Sequence, residues 1–309
     1  MPVIFDRVAL IGLGLIAGSM SLAMRRGKLA GEIVGFARSK ETRDSAREIN
    51  LVDRVEDSIE EAVKDADLVV LCVPVGAMGA VTKAIAPYLK KDAIVSDVGS
   101  VKMSVFEAVI PHLPDGIEFI GTHPMAGTEH SGPYSGFASL FDNRWCLIVA
   151  PEGAQQYKVD QLTALWKGIG ANVEFMEPDH HDLVCAVVSH APHLIAYTMV
   201  GVADDLGRVT DSEIIKFSAA GFRDFTRIAA SDPTMWRDVF LTNKDATLEI
   251  LGRFTEELFA LQRAIRTGDG DQLFDYFTRT RTIRRGIIEA GQDTAAPDFG
   301  RGSDVSAGE

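Results

Sequence analysis

Val8-Ala-Leu-Ile-Gly-Leu-Gly-Leu-Ile-Ala-Gly-Ser19 runs from an apolar, strand-like stretch through Gly12-x-Gly14-x-x-Ala17 into a helix. Each small residue has its own task in such a turn. The first glycine permits the tight bend, the second lets the backbone come close to a pyrophosphate, and a small third residue lets helix and strand pack closely, with the phosphates resting on the helix N-terminus. The continuation Glu32-Ile-Val-Gly-Phe-Ala37 reads as a second strand at the spacing such a unit requires. Together they predict a dinucleotide-binding βαβ unit at the start of the chain.

The rest of the chain fits that beginning. Its 309 residues are enough for two domains, and 46% of them are hydrophobic. A net charge of −13 argues against binding nucleic acid or acidic lipid, so an anionic ligand has to be drawn by local arginine or lysine. Cys72, Cys146 and Cys185 lie in apolar stretches and read as reduced, buried thiols of a cytoplasmic protein. The N-terminus shows no export signal, and the longest unbroken apolar run, Leu68 to Met78, is too short to cross a bilayer.

From Val8 to about Phe175 apolar strands alternate with amphipathic helices, which predicts a mainly parallel sheet. Leu68–Val73, Ala93–Asp97, Glu118–Gly121 and Trp145–Val149 are the clearest later strands. Beyond Glu177-Pro178 the chain reads as helices: Asp179 to Leu206, Asp211 to Phe225 with a break near Gly221, Thr234 to Asn243, a long one to about Thr267, and Asp269 to Glu289. The fold class is therefore α/β: a Rossmann-type dinucleotide-binding domain over 1–177, then an all-helical domain over 178–292, with a disordered tail over 293–309. The first of these helices is apolar on more than one face (Val184, Val187, Val188, Leu194, Ile195, Met199, Val200), which a second copy of the chain would cover.

Strand Glu118–Gly121 leads into Thr122-His-Pro-Met-Ala-Gly-Thr-Glu-His-Ser-Gly132. Ligands of an open parallel sheet bind at the carboxyl ends of its strands, so His123 is expected in the crevice, in a His-Pro turn just after the strand. Oxidising an alcohol requires a group that removes the hydroxyl proton as hydride leaves carbon, and an imidazole titrates close enough to neutrality to do so.

Several separated motifs then match one family. Besides the glycine loop there are Asp97-Val-Gly-Ser-Val-Lys102, His123-Pro-Met-Ala-Gly-Thr-Glu-His-Ser-Gly132, Ser189-His-Ala-Pro-His193 and Ala220-Gly-Phe-Arg-Asp-Phe-Thr-Arg-Ile-Ala-Ala-Ser-Asp-Pro-Thr-Met-Trp236. The chain resembles the prephenate dehydrogenase family, with its arogenate and cyclohexadienyl members, of tyrosine biosynthesis, up to about residue 290. The resemblance implies that His123 is the catalytic histidine and that Ser100 sits beside both the substrate hydroxyl and the nicotinamide. It implies that Arg227 binds the ring carboxylate and that His193 lies on the substrate side, with Thr128 and Arg223 nearby. Glu129 becomes a gate paired with a basic residue, Arg223 of a partner subunit being the expected one, and Trp236 is expected near the partner's site. Cofactor contacts are expected from Gly12, Gly14, Leu15, Ile16, Ala37, Arg38, Ser39, Lys40, Val73, Pro74 and Ser100. The implied partners are a small-molecule substrate, prephenate or arogenate, and a second copy of the chain in a homodimer. These 309 residues leave no room for a regulatory domain, so any control by tyrosine is expected at the active site itself.

The end of the second strand departs from the usual pattern. Phe36-Ala-Arg-Ser39 stands where NAD enzymes carry an acidic residue, which favours NADP over NAD. Two rival readings are another two-domain dehydrogenase, of the hydroxy-acid or pyrroline carboxylate reductase kind, and a dimeric NADP-sensing regulator without turnover. A metal site through His180, His181, His190 and His193 is disfavoured, because only the last pair has helix-compatible spacing and no carboxylate or thiolate set accompanies it.

Overall fold

The structure, a computed structural model, describes residues 3–210 and 215–289. The expected tail over 293–309 lies outside the described residues, as does 211–214 of the second predicted helix.

Eight strands form one sheet in the order β3-β2-β1-β4-β5-β6-β7-β8. They are β1 (Phe5–Ile11), β2 (Ala30–Phe36), β3 (Arg54–Val55), β4 (Leu68–Leu71), β5 (Ile94–Asp97), β6 (Glu118–Pro124), β7 (Trp145–Val149) and β8 (Asn172–Phe175). β1 to β6 are parallel and run 3-2-1-4-5-6 across the sheet, the doubly wound dinucleotide-binding order. β7 runs antiparallel to β6, and β8 is parallel to β7.

Alternation along β1 explains the two layers. Val8 and Leu10 enter one buried cluster with Met20 and Met24 of helix α1 (Leu15–Gly27) and with Leu162 and Trp166 of α6 (Gln156–Gly168). Ala9 and Ile11 enter a second cluster with residues of α3 (Ile59–Val63), α4 (Met78–Ile85) and α5 (Met103–Val109), and with Trp236 and Val239 of α10 (Pro233–Thr242). A side-chain period of two thus places one apolar set on each face of a sheet covered on both sides. After β2, α2 (Lys40–Glu48), whose Ala46 joins the first cluster, begins at Ser39, whose hydroxyl accepts the Thr42 N–H as an N-cap, a contact usually worth about 1 kcal/mol.

After β8, α7 (Pro178–Cys185) continues through a π-turn at Ala186–His190 into α8 (Ala191–Thr210). The predicted second helix is shorter than expected: α9 spans Ala220–Thr226, after a 3₁₀ turn at Ile215–Phe217. The chain divides into two compact units, 1–250 and 251–309. The described part of the second unit holds the rest of α11 (Lys244–Thr267) and α12 (Gly270–Glu289), with Phe254, Phe259, Phe274 and Phe277 exposed.

α7 and α8 are continuous, as the single helix expected over Asp179 to Leu206 requires. Pro178–Arg208 is a single helix of 31 residues, long and apolar enough to cross a membrane by length and composition, with mean hydropathy 1.5 over an 18-residue stretch of it. A search for unbroken apolar runs misses it because His180, His181, Asp182, His190 and His193 interrupt the pattern. Those interruptions matter, since His181, Asp182 and His190 are buried inside the protein while Val188, Val202 and Leu206 on the same helix are exposed.

Candidate functional site

The glycine turn is built as the sequence requires. Gly12 has φ +101°, and a Cβ there would lie 2.4 Å from the carbonyl oxygen of Cys72 at the end of β4. Gly14 precedes α1, and a Cβ there would meet nothing within 4 Å, so the N-terminus of a 13-residue helix is left open. Ala17 is fully buried against the sheet. The turn fits a dinucleotide pyrophosphate, which needs backbone N–H groups at a helix start and no side chain in the way. At the end of β2, Ala37 is buried and Arg38 is exposed, with no ion-pair partner among the described residues. Two neighbouring groups are already engaged: the Ser39 hydroxyl caps α2, and Lys40 Nζ pairs with Asp44 at 2.5 Å. Arg43 donates to the carbonyls of Ala37 and Arg38 and so fixes this loop.

The Asp97–Lys102 segment is a turn closed by a fully buried ion pair, with Lys102 Nζ 2.6 Å from Asp97 Oδ2 and 2.7 Å from the Gly99 carbonyl. Burial pushes the Asp97 carboxyl above its ordinary range, while Lys102 opposes that shift. Losing either partner of such a pair typically costs about 3–5 kcal/mol, because the other charge is left buried. Ser100 is carried on this turn, half-buried.

His123 lies within β6, one correction to the expected His-Pro turn. Pairing of β6 with β5 stops at Ile120, but Gly121–Pro124 continue to pair with β7. The overhang lifts His123 beyond the end of β5, at the carboxyl edge of the sheet. Its Nδ1 is 2.9 Å from Nε2 of His181, whose Nδ1 is 2.8 Å from Asp182 Oδ1. Asp182 also accepts the backbone N–H groups of Lys102 and Met103, so one carboxylate holds both the start of α5 and the His181 ring. The hydrogen-bond network assigns the protons. Asp182 accepts from His181 Nδ1–H, His181 Nε2 accepts from His123 Nδ1–H, and His123 Nε2 is left with its lone pair. Burial, followed by His181 and Lys102, holds His123 well below the ordinary histidine value, so its ring is neutral.

The helical residues complete the cluster. His190 is buried, its Nδ1 is 3.0 Å from Asn243 Nδ2, and burial lowers its pKa to about 4. His193 donates from Nδ1 to the Ser189 carbonyl at 2.8 Å and stacks on Trp236 at 3.7 Å. Burial lowers its pKa, and the Arg227 charge lowers it further. Trp236 thus stands against His193 within one chain. The Nε2 of His190 and the Nε1 of Trp236 are buried without a partner among the described residues.

Glu129 pairs with Arg227 of the same chain, Oε2 to Nη1 at 2.8 Å. Arg223 donates to the Ser218 carbonyl at 3.3 Å. Thr128 is exposed and accepts the His130 N–H. Sequence reasoning missed Asp182 and Cys185. His181 and Cys185, four residues apart on α7, carried the detectable signal: their side chains share a helix face, with Cys185 Sγ 3.5 Å from both His123 Nδ1 and His181 Nε2.

A glycine turn on a 3-2-1-4-5-6 sheet, with a neutral histidine at its carboxyl edge, defines a nucleotide-dependent oxidoreductase. Family models agree: prephenate dehydrogenase, nucleotide-binding domain, matches residues 20–175, and prephenate dehydrogenase, dimerization domain, matches 177–279. The chain belongs to the prephenate dehydrogenase family. It is 41% identical over 281 residues to the cyclohexadienyl dehydrogenase of Zymomonas mobilis, covering 91% of this chain and 96% of that one. It is 33% identical to the prephenate dehydrogenase of Bacillus subtilis, over 95% of this chain and 79% of that one. The crystal structure of prephenate dehydrogenase from Aquifex aeolicus in complex with hydroxyphenyl propionate and NAD+ superposes with a TM-score of 0.85 at 30% identity, over 91% of this chain and 98% of that one.

Proposed function

We propose that this chain is a homodimeric cytoplasmic enzyme that oxidatively decarboxylates prephenate to 4-hydroxyphenylpyruvate and arogenate to tyrosine, with NADP preferred over NAD. The observation that carries the reading is the Asp182–His181–His123 chain at the edge of a nucleotide-binding sheet, because it leaves an unprotonated ring nitrogen on His123. The nucleotide-binding part ends near Glu177 in this reading, and the apolar faces of α7 and α8 pair two copies.

Gly12, Gly14, Leu15 and Ile16 would hold the dinucleotide, with Val73, Pro74 and Ser100 beside it, and its nicotinamide would supply the hydride acceptor. The chain's own residues do the rest. His123 Nε2 takes the ring hydroxyl proton as hydride leaves the same carbon, and the resulting ketone is conjugated to the carbon that loses carbon dioxide. Ser100 positions that hydroxyl. Arg227 exchanges Glu129 for the ring carboxylate, a charge-assisted contact that fixes the ring within reach of the base. His193, Trp236, Thr128 and Arg223 line the side-chain end. Tyrosine carries the aromatic ring of the product and competes at this site. Arg38 receives the 2′-phosphate of NADP, and Ala37 lacks the carboxylate that would repel it.

The test is NADP and NAD reduction assayed with prephenate and with arogenate, in the natural chain and in Ala37→Asp. Turnover of either substrate with about a ten- to hundred-fold kcat/KM preference for NADP, shrinking in the variant, is the expected result. Absence of turnover with both substrates overturns the activity. A preference for NAD, or no shift in the variant, overturns the cofactor assignment alone.

A further inference from the structure

His123, His181 and Cys185, all buried, bring three ligand atoms together, and no step described above uses the thiol. The separations are 2.9 Å between the two nitrogens and 3.5 Å from the sulfur to each. A tetrahedral zinc with Zn–N of about 2.0–2.1 Å and Zn–S of about 2.3 Å needs edges of about 3.3 and about 3.6 Å. The sulfur edges already match, and the nitrogen edge has to open by only a few tenths of an ångström.

Two further features belong to a metal site. His181 donates its other ring N–H to Asp182 at 2.8 Å, the carboxylate partner that fixes the tautomer and orientation of a metal-bound imidazole. Asp182 is itself held by two backbone N–H groups, so the set is rigid before any ion arrives. Imidazole and thiolate together suit zinc and similar borderline-soft cations, and they disfavour magnesium and calcium. Among the described residues this is the one His/Cys/Asp/Glu group of three that could hold a metal ion.

We propose that His123 Nδ1, His181 Nε2 and Cys185 Sγ form an inhibitory site for zinc or a similar soft divalent cation. The ion takes the Nδ1 lone pair of His123, so the ring proton moves to Nε2 and that nitrogen becomes a donor. The Cys185 thiol proton is released to solvent, and no electrons are transferred. The inhibition rests on His123 acting as the base, whereas the binding does not.

The probes are Zn²⁺ and Co²⁺ added to the full-length protein. One equivalent of Co²⁺ should give a thiolate-to-metal charge-transfer band with tetrahedral visible absorption. Zn²⁺ should abolish that band and lower kcat at least tenfold, reversibly on chelation. In Cys185→Ala the band should vanish and the half-inhibitory zinc concentration should rise by about tenfold or more. Absence of the band from the unsubstituted protein overturns the site whether or not the variant folds, as does equal zinc sensitivity in a folded variant. A Cys185-dependent band without inhibition leaves the metal binding standing but overturns its inhibitory role, and with it His123 as the base.

Discussion

Nδ1 of His123 stands 2.9 Å from Nε2 of His181, and this contact decides which nitrogen of His123 is free to accept a proton. Asp182 anchors the series by taking the proton-bearing side of His181. The cost of desolvating a buried imidazolium does the rest, holding His123 neutral.

His181 is therefore a positioning residue. Replacing it with Ala should lower kcat by about ten- to a hundred-fold with little change in KM, because the His123 ring loses its preferred tautomer and orientation. His181→Gln, which keeps an acceptor, should recover part of the loss. Equal, full kcat in both variants at neutral pH contradicts the role.

Arg227 is paired before substrate arrives, so its loss removes the anion anchor and leaves Glu129 unneutralised. Truncating a charge-assisted contact costs roughly 2–5 kcal/mol when the partner charge stays buried. Arg227 is partly exposed, so the lower end applies and KM should rise about thirty-fold or more in Arg227→Ala. An unchanged KM for both substrates places the carboxylate elsewhere.

Acid should weaken the fold in a defined window. His123, His181, His190 and His193 all lie below their ordinary value of 6.5, with burial the first cause for each. A depressed folded value means that the unfolded chain binds more protons, so stability is full above pH 6.5 and falls as pH drops below it. His190, at about 4, should alone cost about 2 kcal/mol by pH 5. Denaturant midpoints compared at pH 7.5 and pH 5 measure this, and an unchanged midpoint contradicts the burial of these rings.

Much of this was legible in the sequence because it rested on local rules. The steric demand at Gly12 and the apolar strands β4 to β7 follow from residue type and order, whereas the grouping of His123 with the motifs of Arg227 and Trp236 is what the family resemblance implies. The rest depended on contacts distant in sequence. β3 has two residues, and β8 is largely exposed, so neither carries an apolar run. The antiparallel direction of β7 is a property of topology that side-chain alternation does not encode. His181, Asp182 and Cys185 sit in a helix that reads as apolar, and only folding brings His123, 58 residues from His181, against them. Glu129 found Arg227, 98 residues away, where a sequence offers several arginines and no means of choosing.

His123 as the base is the step on which the proposed chemistry turns. Its most direct test is the kcat of His123→Asn with prephenate and arogenate at neutral pH, alongside cofactor affinity measured by titration. A fall in kcat of about two to four powers of ten with cofactor affinity nearly unchanged is the predicted result. A variant that keeps kcat within tenfold of the natural chain contradicts it.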